Sequence, residues 1–381
     1  MEPCRVLVIG PRRALLDALR MRAIPFDVWQ ERPSPGSKAA SMVLTAPLWN
    51  SIEKLKETLA TSFAGERYTH VIAGTDAAVY PAAVTRRALG ARHSPITTAL
   101  RCRDKLAMKE YLAEHDIPMT DFLAEADAPS PAAVFARLGT PVVRKRRKSS
   151  GGRGLELIER IDDLLVRHDG RNILERYVDA PEVSVESFIQ QGEIRFANIT
   201  RYLEKRHVNF VPAAFAAALN TEIEDLNRRV IEALKIRWGM THLEVYLAND
   251  GLLFGEIALR PPGGYIMNAL LHAYGFDPWA AYLAVELGEP FDFPAGNTGY
   301  TGIELFHPGA GRVRAINGRE QVQQHPATRE FRLKIAAGDI LGTRDSAGQD
   351  VGYVLYSAGT PEERLAVHQT FEQAFEIVME R

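Results

Sequence analysis

Apolar and polar positions alternate with a period of two on both sides of Asn249-Asp250-Gly251: Leu243, Val245 and Leu247 before it, Leu253, Ile257 and Leu259 after it. That pattern predicts an antiparallel hairpin with one buried face. A three-residue loop closed by a left-handed glycine suits Asn-Asp-Gly. In that register Glu244 falls directly opposite Glu256, both on the face turned away from the apolar one. A two-residue Asp-Gly turn would slip the register by one, set Glu244 against Ile257 and mix the faces, so the first register is expected. Directly opposed like charges destabilise a strand pair. Either the two are solvated surface glutamates, or something lies between them, and a hard divalent cation is one answer.

Elsewhere short buried runs alternate with helical spacing. Residues 5–9, 26–29 and 70–73 read as strands, and residues 12–21, 52–63 and 77–89 as helices, which predicts a parallel α/β unit. Residues 31–41, rich in Pro, Ser and Gly, read as a loop. A helix opens at Asp104, an N-cap, and carries Lys105, Met108 and Leu112 until Ile117-Pro118 stops it. Residues 141–145, 155–158, 172–178 and 182–189 are expected to be strands, and 221–234 and 266–274 helices. The tail from about residue 296 mixes short strands with a final helix over 362–379.

The bulk numbers narrow the class. With 381 residues, two to three domains are expected. A net charge of −2 with 25% charged residues does not point to a nucleic-acid binder. Cys4 and Cys102 form neither a metal-ligand spacing nor a disulfide framework, which fits a reducing cytoplasm. No apolar run reaches the length of a membrane span. The acidic N-terminus does not read as a secretory signal, so a soluble cytoplasmic protein is expected. The turn Gly10-Pro11-Arg12-Arg13 lacks the glycine fingerprint of dinucleotide binding.

Three further segments carry candidate chemistry. Pro141-Val-Val-Arg-Lys145 leads into a loop holding Ser149, Ser150, Gly151, Gly152 and Gly154. Glycines let backbone N–H groups approach phosphate oxygens, and the flanking bases neutralise charge. A mobile hairpin tip or a basic patch for nucleic acid is the other reading of the same residues. In Ile-Leu-Glu175-Arg-Tyr177-Val178 with Pro-Glu182, a strand edge could offer backbone groups to an adenine, and Glu182 could accept from ribose hydroxyls. After Glu256, Ile-Ala-Leu-Arg260-Pro-Pro-Gly263-Gly264 sets a cation and two backbone N–H groups where a carboxylate or an oxyanion could bind.

In this order and spacing the segments resemble the ATP-grasp superfamily of carboxylate–amine ligases. The likeness spans about residues 100–290 and rests on Arg-Asp-Lys105, Pro-Val-Val-Arg-Lys145, Glu175-Arg-Tyr-Val178, Leu-Glu244 and Gly-Glu256-Ile-Ala-Leu-Arg260-Pro-Pro-Gly-Gly. It implies an N-terminal α/β domain over 1–99, then an ATP-grasp fold over 100–290, two α+β subdomains clasping ATP. A glycine-rich lid would cover about 120–178, and an α+β lobe over 291–381 would complete the module. It implies that Lys105 and Lys145 contact ATP phosphates under the serine–glycine loop. Glu175, Tyr177 and Val178 would flank adenine, and Glu182 would take the ribose. Glu244 and Glu256 would hold Mg²⁺, and Arg260, with Lys145, would serve an acyl-phosphate step that joins a carboxylate to an amine, expected to be that of an amino acid.

Arg201 and Lys205, with Arg260, Gly263 and Gly264, are the candidates for the substrate's carboxylate. Many relatives carry an asparagine ligand two residues after the second glutamate, where this chain has Ala258. That departure leaves open one metal or two, and a non-catalytic ATP-binding protein. A carboxylating or purine-pathway member is another alternative. Small-molecule partners, no membrane and no nucleic acid are expected, with a homodimer allowed for.

Overall fold

A computed structural model describes residues 4–49, 51–63, 65, 67–92, 94–204, 207–344 and 348–380. Strands Val6–Ile9 (β1), Phe26–Gln30 (β2), Val43–Thr45 (β3) and His70–Ala73 (β4) form a parallel sheet in the order β3-β2-β1-β4. Helices Arg13–Met21 (α1), Ile52–Ser62 (α2) and Val79–Ala88 (α3) accompany it. Every residue of β1 is fully buried because Val6 and Val8 face one core cluster and Leu7 and Ile9 another. A strand covered on both faces reads as an unbroken apolar run, which is how it stood in the sequence. Helices Ile96–Arg101 (α4) and Lys105–Ala113 (α5) follow, the latter capped by the Asp104 carboxylate, which accepts from the N–H groups of Leu106 and Ala107.

Next comes a small sheet with a core of its own. Phe122–Ala124 (β5), Val142–Arg146 (β6), Glu156–Ile158 (β7) and Asn172–Arg176 (β8) pair in the order β5-β8-β6-β7, with helix Pro131–Leu138 (α6) packed on them through Val134 and Leu138. The main body is built on Glu182–Gln190 (β9), Glu193–Glu204 (β10), Val208–Val211 (β11), Trp238–Ala248 (β12) and Gly251–Ala258 (β13), with helices Ala217–Ala233 (α7), Ile266–Tyr274 (α8) and Pro278–Leu287 (α9). The tail adds Tyr300–Leu305 (β14), Gly311–Asn317 (β15), helix Arg319–Gln323 (α10), Thr328–Leu333 (β16), Ile340–Leu341 (β17) and Gly352–Ala358 (β18). Helix Pro361–Ala374 (α11) and Glu376–Met379 (β19) end it.

The large sheet runs β13-β12-β9-β10-β11-β14-β18-β16, so its hydrogen-bonded ladder passes through residue 290 without a break. The last helix is shorter than its expected span of 362–379. Thr360 and Glu363 form a capping box at its start, but residues 376–379 leave the helix and pair with β15. Isoleucine and valine at 377 and 378 fit a strand, and a free sheet edge was there to take them.

The N-terminal sheet is fastened to this body rather than hung beside it. Tyr282 donates to the carbonyl of Ala73 (2.8 Å), Thr98 to that of Leu234 (2.7 Å), and Arg86 pairs with Glu286 (2.9 Å). The carboxyl ends of β1 and β4 therefore face the loop that follows β13.

The β12–β13 hairpin has the expected pairing for a different reason. Ala248 pairs with Gly251 across a two-residue Asn249-Asp250 turn, so the strands leave the tip in a register that would not oppose the glutamates. A β-bulge then shifts the pairing between Glu244 and Val245, and Glu244 meets Glu256. Gly255 is the extra residue. The bulge also places Phe254, not Leu253, on the buried face with Leu243, Val245 and Ile257; Leu253 was expected there. A Cβ at Gly255 would stand 3.0 Å from the Glu244 carbonyl oxygen and 3.2 Å from the Tyr246 ring. Gly255→Val should therefore cost about 1–3 kcal/mol, read as a lowered urea midpoint, and an unchanged midpoint would show that the bulge accepts a side chain.

Candidate active site

Between the small sheet and the inner face of the large one lies a cavity of about 180 Å³. Glu244 and Glu256 line it, side by side across β12 and β13. Lys105, the first residue of α5, reaches Glu256 Oε1 at 3.0 Å and also donates to the Ser149 carbonyl at 2.8 Å. Among the described residues no group of three or more His, Cys, Asp and Glu side chains is arranged to hold a metal. The pair nevertheless fits Mg²⁺, which is commonly held by one or two carboxylates and completes its shell from phosphates and water. Ala258 also lines the cavity, and its cross-strand partner is His242.

His242 is tied to a buried polar network. Glu186 is fully buried and accepts from Ser184 Oγ (2.6 Å), Asn198 Nδ2 (2.7 Å) and Thr200 Oγ1 (2.7 Å), with His242 Nδ1 at 3.0 Å. On its other side His242 Nε2 lies 3.6 Å from Glu244 and 3.4 Å from the Tyr202 hydroxyl. Burial works against the imidazolium, but hydrogen bonds to Glu186 and Glu244 outweigh it and raise the His242 pKa to about 9. Sequence reasoning missed this residue. The signal was present, because His242 and Glu244 alternate on β12 as Ser184 and Glu186 do on β9, and those strands pair.

The second phosphate candidate, Lys145 on β6, lies 2.9 Å from the Glu175 carboxylate, which is 2% exposed. Lys109 approaches the same oxygen at 3.6 Å. Burial opposes both charges of the Lys145–Glu175 pair. The attraction of Glu175 still holds Lys145 above the usual lysine range, and Lys109 together with Lys145 holds Glu175 below the usual carboxylate range. Of the five bases around Lys145, Arg146 and Lys148 are exposed and the other three are engaged. Arg144 is buried against Glu125 (2.7 Å), Arg147 pairs with Asp104 (2.9 Å), and Lys145 faces the cavity. Ser149, Ser150, Gly151 and Gly152 line the cavity, with Gly151 and Gly152 at φ of 64° and 75°.

Arg260, Gly263 and Gly264 form the far wall. Asp76, at the carboxyl end of β4, stands 3.9 Å from Arg260 Nε and 2.6 Å from Arg103. Arg12, in the turn after β1, donates to the Pro262 carbonyl. Burial, and then the Arg260 charge, lower the Arg12 pKa to about 10. The N-terminal sheet thus grips the Arg260 loop from behind.

Of the residues singled out from sequence, Glu182 also lines the cavity, whereas Gly154, Glu175, Tyr177 and Val178 do not. At Glu175 the open strand edge is absent, since β8 is interior and Glu175 has partners on both sides, Phe122 and Val143. Arg201 does not line the cavity. It is exposed and lies over Phe215 (5.8 Å), while its neighbour Tyr202 faces the cavity, because adjacent strand residues point to opposite faces. Lys205 lies outside the described residues. Besides His242, cavity residues not anticipated are Arg153, Leu155, Asn209, Tyr246, Ile266 and Leu305.

Residues 110–268 match the ATP-grasp domain family, and residues 304–380 match C-terminal domain 2 of L-amino acid ligases. Residues 110–268 form an ATP-grasp domain. The chain is 24% identical over 312 residues to an L-arginine-specific L-amino acid ligase of Bacillus subtilis, covering 76% of this chain and 75% of that one. Its fold is similar to that of an L-amino acid ligase from Bacillus licheniformis, with a TM-score of 0.81, 18% identity and both chains covered completely. It is also similar to N5-carboxyaminoimidazole ribonucleotide synthetase from Thermotoga maritima, with a TM-score of 0.75, 16% identity and 99% and 100% of the chains covered. No helix among the described residues is long and apolar enough to cross a membrane.

The raised His242 pKa has a consequence for the stability of the ATP-grasp protein. A histidine whose folded pKa lies above its unfolded value contributes stability that is complete below about pH 6.5 and is lost as pH rises through about 9. The ligand-free protein should therefore unfold more easily at pH 9.5 than at pH 6.5, and His242→Gln should remove much of that slope. Parallel pH profiles of urea stability for the two proteins would refute the shift.

Proposed function

We propose that this ATP-grasp protein is an ADP-forming ligase that activates a carboxylate as its acyl phosphate and joins it to the amine of an amino acid, giving a dipeptide or related amide. The observation that carries the reading is the meeting, in one cavity, of Glu244, Glu256, Lys105, Lys145 and Arg260. Two acids and three cations converge there from β12, β13, α5, β6 and the loop after β13. The C-terminal match to L-amino acid ligases supports amino acids as substrates.

Glu244 and Glu256 would hold Mg²⁺, which supplies positive charge to the phosphates when bound. Lys105 and Lys145 would face those phosphates, with backbone N–H groups of the loop at Ser149, Ser150, Gly151 and Gly152 above them. Glu182 would accept from the ribose, and Tyr177 with Val178 would border adenine just past the paired part of β8. Arg260 would face the carboxylate as charge develops on the group being transferred, with Gly263 and Gly264 beside it. One close unit-charge pair is worth about 4 kcal/mol at an effective dielectric near 20. A few such contacts are therefore comparable with the ~8 kcal/mol at the low end of enzymatic rate enhancement. A loop closed over the cavity would also keep water from the activated acid.

The likeness to a purine-pathway synthetase supports a second reading, in which bicarbonate rather than an amino acid is the carboxylate. Amino-acid pairs screened for ADP release separate the two: stimulation by a defined pair supports the ligase, and dependence on bicarbonate supports the alternative. Tight ATP binding without turnover under either condition would leave a nucleotide-binding protein. Glu256→Ala should reduce ADP formation by at least ~100-fold with urea stability retained, and near-normal rates would remove Glu256 from the metal site. Lys145→Ala should chiefly raise the apparent KM for ATP, and an unchanged KM would reject its phosphate role.

A further inference from the structure

Lys109 does not line the cavity, yet its burial is costly. It lies one turn beyond Lys105 on α5 and is 1% exposed. Its Nζ sits 3.6 Å from Glu175 and 5.8 and 5.7 Å from the ring centres of Phe122 and Phe254, with no hydrogen-bond partner. Burial lowers its pKa, and Glu175 offsets that only in part. Lys145 and Glu175 already form a neutral pair at 2.9 Å. A second buried ammonium on the same carboxylate is not needed to keep that pair together.

The need arises when Lys145 changes partner. In the ligand-free arrangement its ammonium is committed to Glu175, and to reach a phosphate it must give up some of that contact. A carboxylate that is 2% exposed cannot turn to water for compensation, and removing one partner of a buried ion pair is strongly destabilising. The other phosphate lysine has no such problem. Its partner, Glu256, has a side chain 27% exposed and can be hydrated when Lys105 moves.

Resting on the ATP reading above, we propose that Lys109 is a positioning residue that keeps Glu175 paired, so that Lys145 can pass from Glu175 to a phosphate of ATP. Without Lys109, each Lys145–phosphate contact would leave a lone buried carboxylate. Lys145 would stay on Glu175, and the nucleotide would lose its cation.

The test is MgATP binding by titration calorimetry to the full chain. Lys109→Met, which fills the same space without charge, should weaken MgATP by on the order of tenfold or more, with the KM for the amino-acid substrate little changed. Adding Glu175→Gln in the same chain removes the carboxylate that holds Lys145 back, and affinity should return to within about threefold of wild type. A purely structural role predicts the opposite, since the double variant loses two buried groups. Affinity of Lys109→Met within about twofold of wild type, or a double variant as weak as the single one, would overturn the proposal. If Lys109→Met alone fails to fold, the charge-neutral double variant decides by the same threshold, and a loss of about tenfold overturns it. Wild-type protein that binds no MgATP would fail the nucleotide reading itself and this proposal with it.

Discussion

Two like charges occupy one cross-strand position, and much of the site is arranged around that unfavourable contact. Glu244 and Glu256 are opposed because a bulge at Gly255 restores a register that the hairpin turn had displaced. Glycine is suited to that position because the Glu244 carbonyl lies where a side chain would begin. Cations then stand against each acid. Lys105 reaches Glu256 from α5, and His242, held charged by Glu186, leans on Glu244 from the same strand.

The same pairing rule extends outward. Glu125 with Arg144, Asp104 with Arg147, Asp76 with Arg103, and Glu175 with Lys145 and Lys109 are all buried or nearly buried acids met by bases from distant parts of the chain. Buried charges tolerate little else. Asp76 with Arg103 ties the end of β4 to the turn before α5, and Asp104 with Arg147 and Lys109 with Glu175 tie α5 to the small sheet, all beside the cavity rather than in its lining. A ligand carrying several negative charges enters a site whose cations are already in place but engaged.

The departure at Ala258 acquires a physical context from the register. Ala258 offers no side-chain ligand, and the residue across from it is His242. His242 links the glutamate pair to a buried acid, lying 3.6 Å from Glu244 and 3.0 Å from Glu186.

The amino-acid sequence by itself determined the periodic features. The β12–β13 hairpin, the Asp104 cap that presents Lys105, the glycine loop after Lys145 and the buried first strand all follow from local pattern, where near neighbours decide the outcome, whereas the opposition of the glutamates came about through a bulge that the pattern did not announce. Most of the cavity-facing candidates were legible for that reason. Tertiary structure decided whatever depended on a distant partner: which of Arg201 and Tyr202 faces inward, that Glu175 meets two lysines on an interior strand, and that residues 376–379 leave a helix for a sheet edge. Those outcomes depend on which sheet edges are free and which buried charges find a counter-charge, and neither can be read from spacing along the chain.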